Sequence, residues 1–262
     1  MKKRRFTFQK FYLGLVLAVI YLPLVLVVVY SFNQSRISSV WGGFSLNWYR
    51  TLFADRAMFG ALRNSVVLGV CASLCAAVVG TLGAVGFHRI QPRTKGAVEY
   101  LTMLPLMIPE IILAMVFMAF FAALGLPFGM GTLILGHTAF CVPYVYMMVK
   151  ARLAGMDHSL TEAARDLGAG EWRVFWDITL PLLAPAIASG MLLSFAMSFD
   201  DVLISLFVTG VNVTTLPLKV YTSLQNGPTP EINALCTLLL AGTLVLVGLS
   251  ALLGRLGRPA GK

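Results

Sequence analysis

The chain has 262 residues, of which 58% are hydrophobic and only 12% charged, and its mean hydropathy is +0.83. Soluble domains run at about 45–50% apolar and about 25% charged. The composition therefore excludes an ordinary soluble protein, implies an integral membrane protein and leaves no room for a second large soluble domain. A net charge of +9 in a soluble chain would suggest nucleic acid. Here its distribution follows membrane orientation, and no nucleic-acid partner is expected.

The pattern predicts an all-α membrane protein with six transmembrane helices. Residues 1–10 hold Lys2, Lys3, Arg4, Arg5 and Lys10 and read as a cytoplasmic basic tail. Residues 11–31 read as the first transmembrane helix. The apolar run is too long for a signal-peptide h-region and ends in no small-residue cleavage site, so it is an anchor. Residues 32–64 read as a periplasmic loop, in which Trp41, Phe44, Trp48, Tyr49, Leu52 and Phe53 predict an interfacial helix. Residues 65–253 read as a five-helix core. Its spans are expected near 65–87, with a small-residue stripe at Gly69, Gly80, Gly83 and Gly86, and near 97–124, interrupted by Pro105 and Pro109. Three more are expected near 132–149, 182–207 and 232–253. Residues 208–230 are less regular and read either as an outer loop or as a segment folding partly back into the bundle. Residues 254–262 form a second cytoplasmic tail.

Fifteen of the 20 Lys and Arg residues fall in the tails and in the segments 88–97 and 150–181. That asymmetry places both termini in the cytoplasm. Cys71, Cys75, Cys141 and Cys236 all lie in apolar runs without a CxxC pair, so they read as small buried hydrophobes rather than as a disulfide framework or metal site.

The polar stretch 159–181, SLTEAARDLGAGEWRVFWDITLP, organises the core. Ser159 and Glu162 fit an S-x-x-E capping box. Leu160, Ala163, Ala164 and Leu167 recur at helical spacing as a small apolar face, and Gly168 sits where a left-handed C-cap is expected. A second short helix is expected from Glu171, carrying Trp172, Phe175 and Trp176, and Pro181 suits the first turn of the next span. A small smooth helix pair outside the bilayer suits another protein's groove; an ordinary loop resting on lipid is the alternative. Glu162-Ala163-Ala164, then Gly168, Ile178, Leu180 and Pro181, match EAA-x3-G-x9-I-x-LP throughout. This pattern is similar to that of the membrane permease subunits of binding-protein-dependent ABC importers. The resemblance implies the type I (MetI-like) architecture, with 159–181 as the cytoplasmic coupling helix. Glu162, Ala163, Ala164 and Gly168, with Leu160 and Leu167, would then dock on an ATPase.

No GxxxxGK[ST] loop, HExxH or GxSxG occurs, so neither P-loop ATP binding nor an enzyme reading is supported. No catalytic residue and no metal site is expected. The carboxylates in apolar surroundings are the informative groups. Glu110 follows Pro109 about 20 Å along a straight third span at 1.5 Å per residue. Asp200 and Asp201 stand together in the fifth. A charge at the bilayer centre costs about 2.5–3.5 kcal/mol on the gentler scale, so these groups should face the bundle interior or a water-filled path. They are candidates for the route of a cationic substrate; helix capping or interhelical hydrogen bonding is the plainer alternative. His137 reads as a hydrogen-bonded interior residue.

SFNQSR at 31, WGGFSLNWY at 41, SFDDVLISLFVTG at 198 and TLPLKVYTSLQNGPTPEINAL at 215 resemble the polyamine branch of these permeases, nearest the C-type permeases of spermidine/putrescine importers. The resemblance implies a heterodimer with a sister permease in a bacterial inner membrane, two cytoplasmic ATPase subunits that use ATP and Mg, and a periplasmic polyamine-binding protein. The chain itself would bind no cofactor. The same architecture serving another organic cation or iron, or an ion-coupled secondary transporter, are the other readings.

Overall fold

The computed structural model describes residues 2–37, 40–88, 92–157, 159–225, 227 and 229–256. His158, the centre of the basic turn at 89–91 and the end of the C-terminal tail, 257–262, lie outside them. Among the described residues the regular elements are all helices, with one isolated bridge, Asn33 to Phe44. Two compact units divide the chain, residues 1–58 with 222–262, and residues 59–221.

In the first unit, α1 (Lys2–Tyr30) packs on α12 (Pro230–Leu256), which also meets α2 (Asn47–Ala54). The 23 residues Phe8–Tyr30 suffice to cross a bilayer, and their apolar side chains point outward, as lipid contact requires. The predicted interfacial helix is shorter than expected. Only Asn47–Ala54 is helical, while Phe44 sits in the bridge to Asn33 and Trp41 precedes it. Buried Asn33 accounts for this. Its Oδ1 accepts the Ser35 and Gly42 amides, its Nδ2 donates to the Val40 carbonyl, and its own carbonyl accepts the Trp48 indole N–H at 2.7 Å. A helix through Trp41 would break that set.

The second unit holds most of α3 (Arg56–His88), then α4 (Pro92–Met107), α5 (Glu110–Ala123), α6 (Met130–Ala154), α7 (Ser159–Asp166), α8 (Glu171–Val174), a π turn (Phe175–Thr179), α9 (Leu180–Asp200), α10 (Leu203–Val208) and α11 (Leu216–Gln225). Helix α3 starts nine residues before the expected span, because the Asp55 carboxylate accepts the Ala57 and Met58 amides and caps it there. The expected third span is not one straight rod. It breaks at Ile108–Pro109 and turns by 105° between α4 and α5. Proline's ring displaces the preceding turn, so the straight-helix depth inferred for Glu110 does not apply. The residue instead opens a new helix. Likewise the fifth span ends at Asp200, and α10 stands apart from it as a separate short helix.

Among the described residues four helices are long and apolar enough to span a membrane, or five if the bent α4–α5 pair is one crossing. The core joins Leu68 and Ala76 of α3, Leu113 and Phe121 of α5, Val145 and Tyr146 of α6, Leu183 of α9 and Ile204 of α10.

The seam between α6 and α9 is antiparallel and keeps a four-residue step. His137 meets Ser198; Cys141 Sγ donates to the Ser194 carbonyl at 3.4 Å while Ser194 Oγ donates to the Cys141 carbonyl; and Val145 lies against Gly190. A Cβ built at Gly190 would stand 2.9 Å from Val145 Cα, and one at Gly80 of α3 would stand 2.9 Å from Val145 Cβ. Close backbone approach of this kind is how helices associate where lipid removes the hydrophobic driving force. Gly190→Ala is therefore expected to lower stability by about 1–3 kcal/mol, the usual cost of overpacking. Val145→Ala should not rescue it, because the obstructing atom is backbone. Gly86→Ala, which meets nothing within 4 Å, should leave thermal unfolding of the purified protein unchanged.

Candidate functional site

Two breaks in the helical frame meet. Helix α5, opening at Glu110, packs against α10, which opens just after Asp201. Asp201 leaves the helix with φ −67° and ψ 132°. Its carboxylate turns inward, where Oδ1 accepts the Ile204 amide at 3.1 Å and Oδ2 the Ser205 amide at 2.9 Å. Oδ2 also lies 3.3 Å from His137 Nε2, with both side chains essentially inaccessible. His137 is held from its other face, since Nδ1 is 2.8 Å from Ser198 Oγ, and Ser205 Oγ lies 3.4 Å from Nε2. A buried carboxylate is tolerated where amides and a histidine occupy its lone pairs, and here it closes the gap between α9 and α10.

Adjacent in sequence, Asp200 and Asp201 are opposite in situation. Asp201 is 5% exposed, whereas Asp200 is open on the surface of the bundle. Glu110, half-buried, lies within electrostatic reach of both Asp201 and Asp200. The structure thus brings all three predicted carboxylates together, two of them accessible, at a place where two helices are discontinuous. Discontinuous helices leave backbone polar groups available inside a membrane. Sequence reading left Ser198 and Ser205 out of this site. The available clue was the polar i, i+4 pair Ser194 and Ser198 on α9 matched by His137 and Cys141 on α6.

The second constellation is α7 to α8. Gly168 has φ +84°, the left-handed conformation that favours glycine, and the chain closes with Gly168 N–H to the Arg165 carbonyl and Ala169 N–H to the Ala164 carbonyl. That is a Schellman end. The start differs from expectation. Ser159 is already helical, so it does not act as the capping hydroxyl; the Asp157 carboxylate accepts the Ser159 amide at 2.9 Å instead. Arg165 grips Glu171 with Nε at 2.7 Å and Nη2 at 3.3 Å, tying α7 to α8 across the glycine turn. The Glu171 carboxylate in turn holds the Arg165 guanidinium above its ordinary pKa through that hydrogen bond. Leu167 is 90% exposed, Leu160 half-exposed, and Glu162 and Ala163 are also open, while Ala164 is partly covered. Helix α8 was expected to continue through Trp176. It gives way instead to the π turn at Phe175, where Thr179 Oγ1 reaches back to the Val174 carbonyl.

Helix α7 with its glycine closure, set between α6 and α9, and the broken pair α4–α5 define the class. Residues 76–258 match the binding-protein-dependent transport system inner membrane component family, and the chain belongs to that family of membrane permeases. Among its relatives, the spermidine/putrescine transport system permease protein PotC of Haemophilus influenzae is 40% identical over 251 residues, covering 96% of this chain and 98% of that one. The putrescine transport system permease protein PotI of Escherichia coli is 42% identical over 239 residues, covering 88% and 85%. Two solved structures share the fold. A chain of a bacterial ABC transporter involved in the import of the acidic polysaccharide alginate superposes with a TM-score of 0.73 at 15% identity, covering 98% of both chains. A chain of the MetNI methionine ABC transporter gives 0.58 at 19% identity, covering 75% of this chain and 94% of that one. The architecture is accordingly that of a MetI-like ABC permease.

The division between the two aspartates gives a direct test. Asp201→Ala leaves two buried amides and His137 without an acceptor, at about 1–3 kcal/mol for each orphaned group, and should depress the melting temperature strongly. Asp200→Asn should melt like the parent chain. Equal destabilisation by both would contradict the burial difference.

Proposed function

We propose that the chain is one half of the translocation pathway of an ATP-driven importer of polyamines such as spermidine and putrescine. The observation that carries this reading is the carboxylate cluster where α5 and α10 meet, with Asp200 exposed and within electrostatic reach of Glu110. The alginate-importing relative shares the fold, so the fold alone does not select a cation. Clustered carboxylates with which, among the described residues, no Lys or Arg forms an ion pair do favour one, since a protonated amine forms short charge-assisted hydrogen bonds to carboxylates. The names of the PotC and PotI relatives support the same substrate class.

In this reading Asp200 and Glu110 receive the passing ammonium groups, and Asp201 supports them from behind. The chain performs no catalysis and holds no cofactor. ATP and Mg belong to two ATPase subunits that dock on Leu160, Glu162, Ala163, Ala164, Leu167 and Gly168. A sister permease completes the pathway, and a periplasmic polyamine-binding protein delivers substrate. Helix α12, taken with α1, α3, the α4–α5 pair, α6 and α9, makes the sixth crossing of a bacterial inner membrane, with both termini cytoplasmic. In the same reading the chain divides into basic tails at 1–10 and 254–262, a first transmembrane helix at 11–31, an outer loop at 32–64 and a transport core at 65–253. Closure of the ATPases on ATP moves the α7 hairpins and alternates access to the cluster.

The test is uptake of radiolabelled putrescine or spermidine into proteoliposomes holding the whole assembly, with loaded binding protein outside and ATP inside. ATP-dependent uptake is expected. Asp200→Asn should lower kcat/KM about tenfold or more, the value of one hydrogen bond to a charged group at about 1.5–3 kcal/mol. Glu162→Lys should abolish coupling to ATP. Uptake driven by an ion gradient without ATP, or full activity in Asp200→Asn, would overturn the reading.

A further inference from the structure

Away from the carboxylate cluster, a cavity of about 620 Å³ opens between α4 and α6. It contains an ion pair, Lys150 Nζ to Glu99 Oε2 at 2.8 Å. Glu99 is a quarter exposed and Lys150 about half. Both helices build the cavity with one face each. Glu99 and Met103 stand four apart on α4, Tyr100 follows Glu99, and Met147 precedes Lys150 by three on α6. On α6, Lys150 is thirteen residues beyond His137, about 20 Å along the axis, at the end that leads into α7.

We infer that this cavity is a second binding site for a primary alkylammonium, entered when the ligand's ammonium displaces the Lys150 ammonium from Glu99. The inference rests on the amine-import reading above. The Lys150 side chain is itself a primary ammonium on four methylenes, so the chain carries a tethered copy of one end of a diaminobutane. Met103 and Met147 supply polarizable walls for methylenes, and the largely exposed Tyr100 ring offers a face to a cation. A short tether acts as a competitor at millimolar effective concentration. Exchange rather than simple capture therefore sets the occupancy. Such a site holds an amine weakly and releases it readily, as a station below the Asp200 cluster must.

The test uses the full transporter in nanodiscs of phosphatidylcholine and phosphatidylglycerol, without binding protein and in an Asp200→Asn/Glu110→Gln background, with equilibrium binding of radiolabelled putrescine. Lys150→Met should tighten binding about fivefold, the upper value of a partly exposed ion pair. Glu99→Gln, with Glu99→Ala as a second variant, should remove it with or without Lys150→Met. An ion pair that only supports the fold predicts weaker assembly in Lys150→Met and unchanged putrescine binding, which overturns the proposal. The headgroup of phosphatidylethanolamine carries the same ammonium. In discs containing that lipid, its displacement by putrescine supports a soluble ligand, and its retention against millimolar putrescine overturns one. Loss of polyamine uptake by the parent transporter would reject the function proposed above. Normal uptake with binding blind to both substitutions rejects the cavity alone.

Discussion

The register of α9 on α6 is the constraint on which the site depends. Three contacts four residues apart, His137 with Ser198, Cys141 with Ser194 and Val145 with Gly190, fix α9 lengthwise and rotationally. A helix that slid by one residue would turn by about 100° and point Ser198 away from His137. The histidine would then lose the partner that orients its ring toward Asp201. Small residues and reciprocal hydrogen bonds set the alignment of the seam, while the larger Tyr146 and Leu183 fill the core around it. Asp201 is thus set by contacts running the length of the seam rather than by its own neighbours alone.

Much of this was legible in the residues. The periodic small face of α7, the left-handed glycine at its end and the apolar spans follow from local chemistry, and local chemistry survives folding. Pro109 announced a discontinuity, although the 105° turn could not be read from it. Pro105, four residues earlier, lies inside α4 without ending it, so proline alone does not choose the break. The capping of α7 was misread because Ser159 and Asp157 are both good capping groups, and only the path of the chain decides between them. The π turn has no sequence mark of its own. It arises where α8 must join α9 while Val174 and Thr179 are both buried.

The two aspartates are the plainest case of what sequence withholds. They are identical and adjacent, and apolar surroundings argue equally that both should seek the interior. The difference between them is created by a helix end. Once Asp200 closes α9, the next residue leaves in an extended conformation and its side chain swings to the opposite side. The outcome is a division of labour across one peptide bond, a buried carboxylate that organises the α9–α10 corner and an accessible one within electrostatic reach of Glu110. Both the seam and the corner are needed for it, and each involves residues more than 60 positions apart in the chain, as His137 and Ser198 show.

From Glu171 to Asp200 the backbone is helical for 30 residues without an intervening loop. At 1.5 Å per residue that is a lever about 45 Å long, with the glycine-closed hairpin at one end and the exposed carboxylate at the other. A rocking of about 5° swings one tip relative to the other by about 4 Å, more than the length of a charge-assisted hydrogen bond of about 2.8 Å. Small angular displacements at the hairpin are thereby large on the scale of a hydrogen bond at the far tip. The wide ring of the π turn, Phe175–Thr179, lies near the hairpin end of this arm.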